Sequence, residues 1–470
     1  MKYQSTRGGE TRLSFQDVLM AGLATDGGLY VPEQWPHTDS SSLERLRGKP
    51  YSHVAAYILK PFCTGDISEE EVARLAHRVY GEAVFEHKAV APLVQIAENL
   101  WIMELFHGPT LAFKDYALQL LGQLFDFSLA KSGKRITIVG ATSGDTGSAA
   151  IEACRGRDNI DIFILHPQGR TSAVQRRQMT TVDAPNVHNI AIDGTFDDCQ
   201  AIVKELFADR KFRAEAHLSA INSINWARIS AQITYYVYAA LALGAPGRKL
   251  SFAVPTGNFG NVYAAWCARQ MGLPIERLVI GTNRNDILTR FFETGTMKRS
   301  DVQPSLSPSM DIQVSSNFER YLFNLFKGDT ERVSSFITDF REKGEASVSH
   351  EDLQSARDSF TAVRSTEEDT LREIEVTYAE ANYVLDPHTA VGVHAAKQVL
   401  RQQSYDAAVP MVALACAHPA KFPDAVQKAT GVSPEIPERL ARVFDLPEFV
   451  TPLENDTKKV KEFIRSHIQT

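Results

Sequence analysis

The sequence predicts an α/β protein with two doubly wound units behind an N-terminal domain, and three observations carry that expectation. From about residue 99 onward, β-rich apolar runs alternate with helix-forming stretches. The alternation comes in two series, the second opening near residue 218. Strands that alternate with helices in this way form parallel sheets joined by crossover helices. The third observation is bulk: 470 residues, 44% hydrophobic and 23% charged, allow about two to four domains with a large core. Such a chain folds without disulfides or metals.

Residues 1–98 read as the N-terminal domain, with the turn-rich DGGLYVPEQWP (26–36) and a helix around 68–81. Residues 99–217 read as the smaller α/β domain. Its elements are a strand at 101–106, a helix whose apolar spacing starts at Leu111, strands at 135–140, 160–167 and 187–194, and an amphipathic helix at 196–209. Residues 218–470 read as the larger domain. LSAINSIN (218–225) leads into the apolar helix 227–243, and strands follow at 250–255, 277–282 and 409–417. The charged, helix-prone stretch 328–380 reads as a surface insertion.

A net charge of -7 argues against sequence-independent nucleic-acid binding, which needs clustered Lys and Arg. The five cysteines are odd in number and widely spaced, without C-x-x-C or zinc spacing, so reduced buried thiols and no metal are expected. The first residues show no signal-peptide core, and no apolar run reaches the roughly 18 residues of a membrane span. A cytoplasmic protein is expected; no assembly motif argues against a monomer.

Four stretches carry chemistry. In PTGNFGN (255–261), Gly257 and Gly260 let the backbone turn tightly before a helix, whose free N–H groups can cradle a phosphate. A plain strand-to-helix turn needs the same glycines. GATSGDTGS (140–148) sets Thr142, Ser143 and Thr146 around Gly144 at a helix start. Those hydroxyls suit a carboxylate, or simply cap the helix. The stretch lacks the G-K-[ST] of a Walker loop and the serine of a G-x-S-x-G elbow. In ELFHGPTLAFKDYALQLLG (104–122), Lys114 stands in an apolar early helix. Sheltered there it is a candidate nucleophilic amine; the common alternative is a lysine reaching out to solvent. In NSINWARIS (222–230), Asn222, Ser223, Asn225 and Arg228 make either an anion site or a helix cap beside a surface arginine.

Together and in this order these stretches resemble the threonine synthases of enterobacteria, pseudomonads and fungi, pyridoxal 5'-phosphate (PLP) enzymes of the tryptophan-synthase-β-like fold. The resemblance runs from YQSTRGGE and GLATDGGLYVPE through ELFHGPTLAFKD, GATSGDTGSAAIEA, QRRQMTT, NSINWARI, PTGNFGN, TNRNDIL, SPSMDIQVSSNFER, LDPHTAVG and AHPAKF. It implies that Lys114 is the Schiff-base lysine and moves protons. It implies that Gly257, Asn258, Phe259, Gly260 and Asn261 hold the cofactor phosphate. It implies that Thr142, Ser143, Gly144 and Thr146 surround the substrate carboxylate, with Asp145 near the cofactor's phenolic oxygen. Ser223, Asn225 and Arg228 are then the residues for the substrate phosphate. Cys416 departs from the pattern, because the family usually places threonine beside the pyridine nitrogen and a thiol is the weaker partner. Asn261 stands where many relatives carry aspartate.

The implied substrate is O-phospho-L-homoserine. The implied products are L-threonine and phosphate, formed by loss of phosphate from Cγ and addition of water at Cβ, the last step of threonine biosynthesis. A phospho-lyase or a serine/threonine dehydratase on the same fold would release a 2-oxo acid instead, so the product discriminates. A non-catalytic binding protein is disfavoured by the intact Lys114. A nucleotide-binding enzyme is disfavoured by the missing Walker lysine and G-x-G-x-x-G.

Overall fold

The computed structural model describes residues 1–142, 144–221 and 223–468. The chain divides into two compact units: residues 1–18, 23–113 and 223–434, and residues 19–22, 114–222 and 435–470.

The first unit is built on a six-stranded sheet in the order Phe360–Arg364, Ile275–Thr282, Leu250–Pro255, Met411–Ala415, Leu100–Glu104, Leu93–Ala97. Neighbours are parallel except for the last pair, where the chain doubles back antiparallel. Leu250–Pro255 and Met411–Ala415 are buried at every residue, and both read as apolar runs, as strands covered on two faces must. The helix Pro387–Leu400 packs on these two strands and on Ile275–Thr282, and its Ala390, Val393, Ala396 and Val399 belong to the same buried core. Each fully buried valine there contributes roughly 1.5–3 kcal/mol. Because the strands are parallel, the loops that follow Glu104, Pro255, Thr282 and Ala415 leave from the same edge, where open α/β sheets bind ligands.

The second unit carries a five-stranded, all-parallel sheet in the order Thr451–Glu454, Val187–Asp193, Ile160–Pro167, Ile136–Ala141, Leu218–Ser219. Ile160–Pro167 is buried throughout. The helix Phe196–Ala208 starts in a capping box between Thr195 and Asp198, and buries Cys199, Ile202 and Leu206 in a core with Phe163, Leu165, Ile190, Val460 and Ile464.

Several expectations need correction. The strand expected at 101–106 to open the smaller domain is Leu100–Glu104 of the six-stranded sheet, because its register partner is Met411–Ala415. The expected boundaries at 98/99 and 217/218 therefore move. Residues 1–18 and 23–113 cluster with the large sheet, and residues 435–470 return to the small one through Thr451–Glu454. The helix expected from Leu111 starts at Lys114, since Leu111 has φ +58° and cannot be helical. Of 218–225 only Leu218–Ser219 is strand. The stretch 328–380 is not a mere surface insertion: beside the helices Thr330–Lys343, His350–Ser359 and Glu367–Ala381 it supplies the sheet strand Phe360–Arg364. All five cysteines are buried free thiols. Among the described residues no helix is long and apolar enough to cross a membrane, and no group of His, Cys, Asp or Glu could hold a metal ion.

Candidate active site

In the second unit Lys114 is the first residue of the helix Lys114–Ser132 and is 9% exposed. Its Nζ lies 3.5 Å from Oδ2 of Asp145, itself the first residue of the helix Asp145–Cys154 and buried. The Gln175 amide donates to the other oxygen, Oδ1, at 3.0 Å, so the carboxylate is held from both ends. Gly144 supports this arrangement with φ +151° and ψ -86°, and a Cβ there would meet Cδ of Gln175 at 2.4 Å. Only glycine fits both constraints. Thr142 is buried, and its Oγ1 accepts from the N–H of Gly144 at 3.0 Å and of Gly147 at 2.9 Å. It braces the loop and keeps its own O–H to donate. Thr146 is half-buried. Ser143 and Asn222, both candidates from the sequence, lie outside the described residues.

In the first unit the loop after Pro255 runs through Thr256, Gly257, Asn258 and Phe259 into the helix Gly260–Gln270. Phe259 holds φ +63°, unusual for a bulky side chain. Its ring is wedged among Phe318, Phe360 and Tyr321, so packing imposes the turn. Gly257 allows the turn 308–310 to approach; a Cβ there would lie 3.2 Å from Met310 Cα. The side chain of Asn261 is clamped at one end: Tyr235 and Tyr236 donate to its Oδ1 at 2.5 and 2.6 Å. Its Nδ2, at the other end, is buried and has no partner among the described residues.

Of the third group, Asn225 is fully buried and caps the helix Trp226–Ala242, accepting from Ala227 N at 3.0 Å. The capping alternative thus describes that residue. Arg228 is not the surface arginine of the other alternative. It is 4% exposed, and its Nε and Nη1 have no partner among the described residues. Burial lowers its pKa to about 10, which still leaves it charged at neutral pH. The backbone oxygen of Ser223 accepts from Asn317 Nδ2 at 3.1 Å.

Cys416 follows the strand Met411–Ala415 and is buried, its Sγ 3.8 Å from Leu414 O. The residues after it clamp the segment that leads to Lys114. Phe113 N donates to Cys416 O at 2.8 Å, His418 N to Leu111 O at 3.0 Å, and the buried Lys421 ammonium to Thr110 O at 2.8 Å. This explains how Leu111 sustains its positive φ.

Sequence reasoning quoted AHPAKF, LDPHTAVG and SPSMDIQVSSNFER but gave them no role. In LDPHTAVG, Asp386 pairs with His388 Nδ1 at 2.9 Å, and His388 Nε2 accepts from Ser309 N at 3.3 Å. In SPSMDIQVSSNFER, the Arg320 guanidinium is fully buried and donates to Tyr30 O at 2.9 Å, to Ile224 O and to Asn317 Oδ1. Asn317 N and Ser315 Oγ in turn donate to Asn258 O at 3.1 Å and Gly257 O at 2.7 Å. Arg7 meets Glu319 through both nitrogens of its fork, at 2.9 and 2.7 Å. These hydrogen bonds tie the N-terminal segment, the 223–228 loop and the 257–261 loop together. The signal available in the sequence was a polar run, SSNFER, in an apolar neighbourhood.

Comparison with known proteins gives three family models in tandem: "Threonine synthase N terminus" over residues 2–80, "Pyridoxal-phosphate dependent enzyme" over 84–338 and "Threonine synthase, C-terminal" over 389–464. A threonine synthase of Pseudomonas aeruginosa is 52% identical over 99% of this chain and 98% of its own. The crystal structure of PLP-bound threonine synthase from Brucella melitensis superposes over the whole of both chains with TM-score 0.97 and 50% identity. That of threonine synthase from Escherichia coli does so with TM-score 0.83 and 30% identity.

Proposed function

The chain belongs to the threonine synthase family, and on that premise we propose that it converts O-phospho-L-homoserine and water to L-threonine and phosphate, with Lys114 as the catalytic amine. It is a PLP-dependent lyase of the α/β fold shared by that family. The buried groups fit the cofactor: an amine for its aldehyde at Lys114, and a glycine-shaped helix start with an unpartnered amide for its phosphate at 257–261. When bound, PLP supplies the electron sink for negative charge at the carbons of the substrate.

The residues supply placement and proton transfer. Lys114 would hold the cofactor and, as an amine kept within reach, would remove the proton from Cα and return protons later. Asp145, 3.5 Å from Nζ, would face the phenolic oxygen of the cofactor, as the resemblance implies. Gly257, Asn258, Phe259, Gly260 and Asn261 receive the cofactor phosphate. Thr142, Ser143, Gly144 and Thr146 receive the substrate carboxylate, with the free O–H of Thr142 as one donor. Cys416 would offer the pyridine nitrogen a weak S–H donor.

Ser223, Asn225 and Arg228 belong to the loop for the substrate phosphate. Asn225 acts there through its cap, and the charge of Arg228 is available to one of the two phosphates that this chemistry brings together. The substrate is a small molecule, and a cytoplasmic monomer without nucleic-acid or membrane partners completes the reading.

The observation that carries the proposal is the buried Lys114–Asp145 pair in a chain that matches the family from end to end. The test is a product assay on the purified holoenzyme with O-phospho-L-homoserine, beside Lys114→Ala. Threonine and phosphate in equal amounts, both lost in the variant, are expected. Phosphate accompanied by 2-oxobutyrate would establish the phospho-lyase alternative instead.

A further inference from the structure

QRRQMTT (175–181) forms most of the helix Ala173–Thr180, which packs closely on the start of the helix Asp145–Cys154. A Cβ on Gly144 would meet Gln175 Cδ at 2.4 Å, and one on Gly147 would meet Met179 Sδ at 2.8 Å. Gln175 and Met179 stand four residues apart and share one helical face. That face is therefore pressed at two points onto the loop that carries Asp145. The other faces are tied to the segment 443–449. Arg177 Nη1 donates to the carbonyls of Val443, Phe444 and Leu446 at 3.3, 3.0 and 3.0 Å. Arg176 pairs with Glu448 at 3.1 Å, and Thr180 Oγ1 donates to the same carboxylate at 2.7 Å. Phe449 N donates to Thr180 O at 2.5 Å.

The sequence S-A-V-Q (172–175) has the form of a capping box, in which the glutamine ordinarily reaches back to the N–H of the cap residue. Ser172 does its part and accepts from Gln175 N at 3.3 Å. The glutamine side chain is used differently. Its Oε1 accepts from Ser172 Oγ at 3.1 Å, and its Nε2 donates to Asp145 Oδ1 at 3.0 Å. An ionised carboxylate only accepts, so the NH2 end must face Asp145, and the serine hydroxyl then serves the oxygen end. Gln175 is buried, which keeps water from taking its place. Asp145 is the first residue of its helix, where unpaired backbone N–H groups compete for a nearby carboxylate. The Gln175 amide opposes that competition.

We propose that Gln175 is a positioning residue for the reaction. Carried on a helix fixed to the segment 443–449, it holds the Asp145 carboxylate so that Oδ2 faces the Lys114 amine. The proposal rests on the reading that Lys114 is the catalytic amine and that Asp145 would face the phenolic oxygen of the cofactor. The effect of Gln175 on the reaction passes through that carboxylate.

The test is a double-variant cycle on the purified holoenzyme, read by turnover and by the visible absorbance of the bound cofactor. Gln175→Met keeps the length of the side chain and removes the amide. It is expected to lower kcat about 10- to 100-fold, the loss that goes with one hydrogen bond to a charged group. The KM for O-phospho-L-homoserine is expected to stay within about threefold. The visible band is expected to move in wavelength as Asp145 turns away. Asp145→Ala is expected to have an effect at least as large. Gln175→Met added to Asp145→Ala is expected to change kcat by less than about twofold and to leave the band where Asp145→Ala put it. Losses that multiply in the double variant would mean that Gln175 acts apart from Asp145, and would overturn the proposal. So would a raised KM with kcat unchanged, which would make Gln175 a ligand of the substrate, and so would an unchanged kcat with an unmoved band. If Gln175→Met does not fold, Gln175→Glu keeps the shape against Gly144 and exchanges the donor for an oxygen, and the same outcomes decide. Wild-type protein that takes up no PLP, or Lys114→Ala with undiminished turnover, would defeat the underlying reading itself, a result distinct from all of these.

Discussion

The loop after Ala141 and the loop after Pro255 are made from the same parts, a parallel strand, a glycine turn and a buried helix start, yet they are finished differently. Around Ala141 the polar groups answer one another. Lys114 pairs with Asp145, Asp145 with Gln175, and Thr142 with two backbone amides. Around Pro255 the buried Asn261 amide ends in a donor without an acceptor among the described residues, and a phenylalanine is held at positive φ by an aromatic cluster. The first arrangement suits a group that must be aimed and then let go. The second would suit a permanent anionic guest.

The largest expected effect tests the self-paired loop. Lys114→Ala is expected to lower threonine formation by at least about 10³-fold and to abolish the visible absorbance of bound cofactor. Retained absorbance at wild-type strength would move the anchor elsewhere. Next comes the hub beneath the other loop. Arg320→Met removes the buried donor that serves Tyr30 O, Asn317 Oδ1 and Ile224 O and is expected to cost about 3–5 kcal/mol in urea unfolding. A loss under about 1 kcal/mol would mean the loops hold their shape without it. Gly144→Ala forces an L-residue into a glycine-only conformation against Gln175 and is expected to cost about 1–3 kcal/mol, with a fall in kcat as Asp145 is disturbed.

A smaller effect is common to both units, since each holds a half-buried histidine whose pKa is strongly lowered. Burial lowers His188 and His418 from 6.5 to about 4, with neighbouring His467 and His107 adding to the shift. A base whose folded pKa lies below its unfolded value binds more protons unfolded, so stability is lost as pH falls from about 6.5 to about 4. Between pH 7 and 5 each contributes roughly 1–2 kcal/mol after allowance for solvent. The pH slope of the urea midpoint should shrink in His418→Asn, which keeps an acceptor for Ala420 N; an unchanged slope would count against a neutral His418. Smallest of all, Cys416→Thr is expected to keep activity within about tenfold, roughly 1.4 kcal/mol of barrier. A larger change would mean that the site is shaped around the thiol.

Where burial is complete, the sequence speaks clearly. Ile160–Pro167 and Leu250–Pro255 are covered on both faces, so their apolar runs have no other use, and their bounds were readable to the residue. Phe360–Arg364 was hidden because an edge strand flanked by charged helices buries little beyond Phe360. Leu111 carries a helical spacing, but the clamp at 416–421 overrides it. At the candidate site, composition marked Lys114 and the two glycine loops only as candidates beside plainer alternatives, and the resemblance to the family supplied their roles. The Arg320 hub and the absence of a partner for Arg228 Nε and Nη1 among the described residues were not legible at all, because both depend on what lies opposite a side chain rather than on its neighbours in sequence.

The strand Thr451–Glu454 lies at the edge of the small sheet, beside a strand made about 260 residues earlier. At roughly 5–20 residues per second, a ribosome takes about 10–50 s to make that connection. For all of that time Val187–Asp193 presents an unpaired strand edge while the large unit is still being synthesised. The nascent chain is therefore most open to aggregation in its middle, and a growing cell must shelter that edge, by chaperone or by crowding at the tunnel exit, until the last strand arrives.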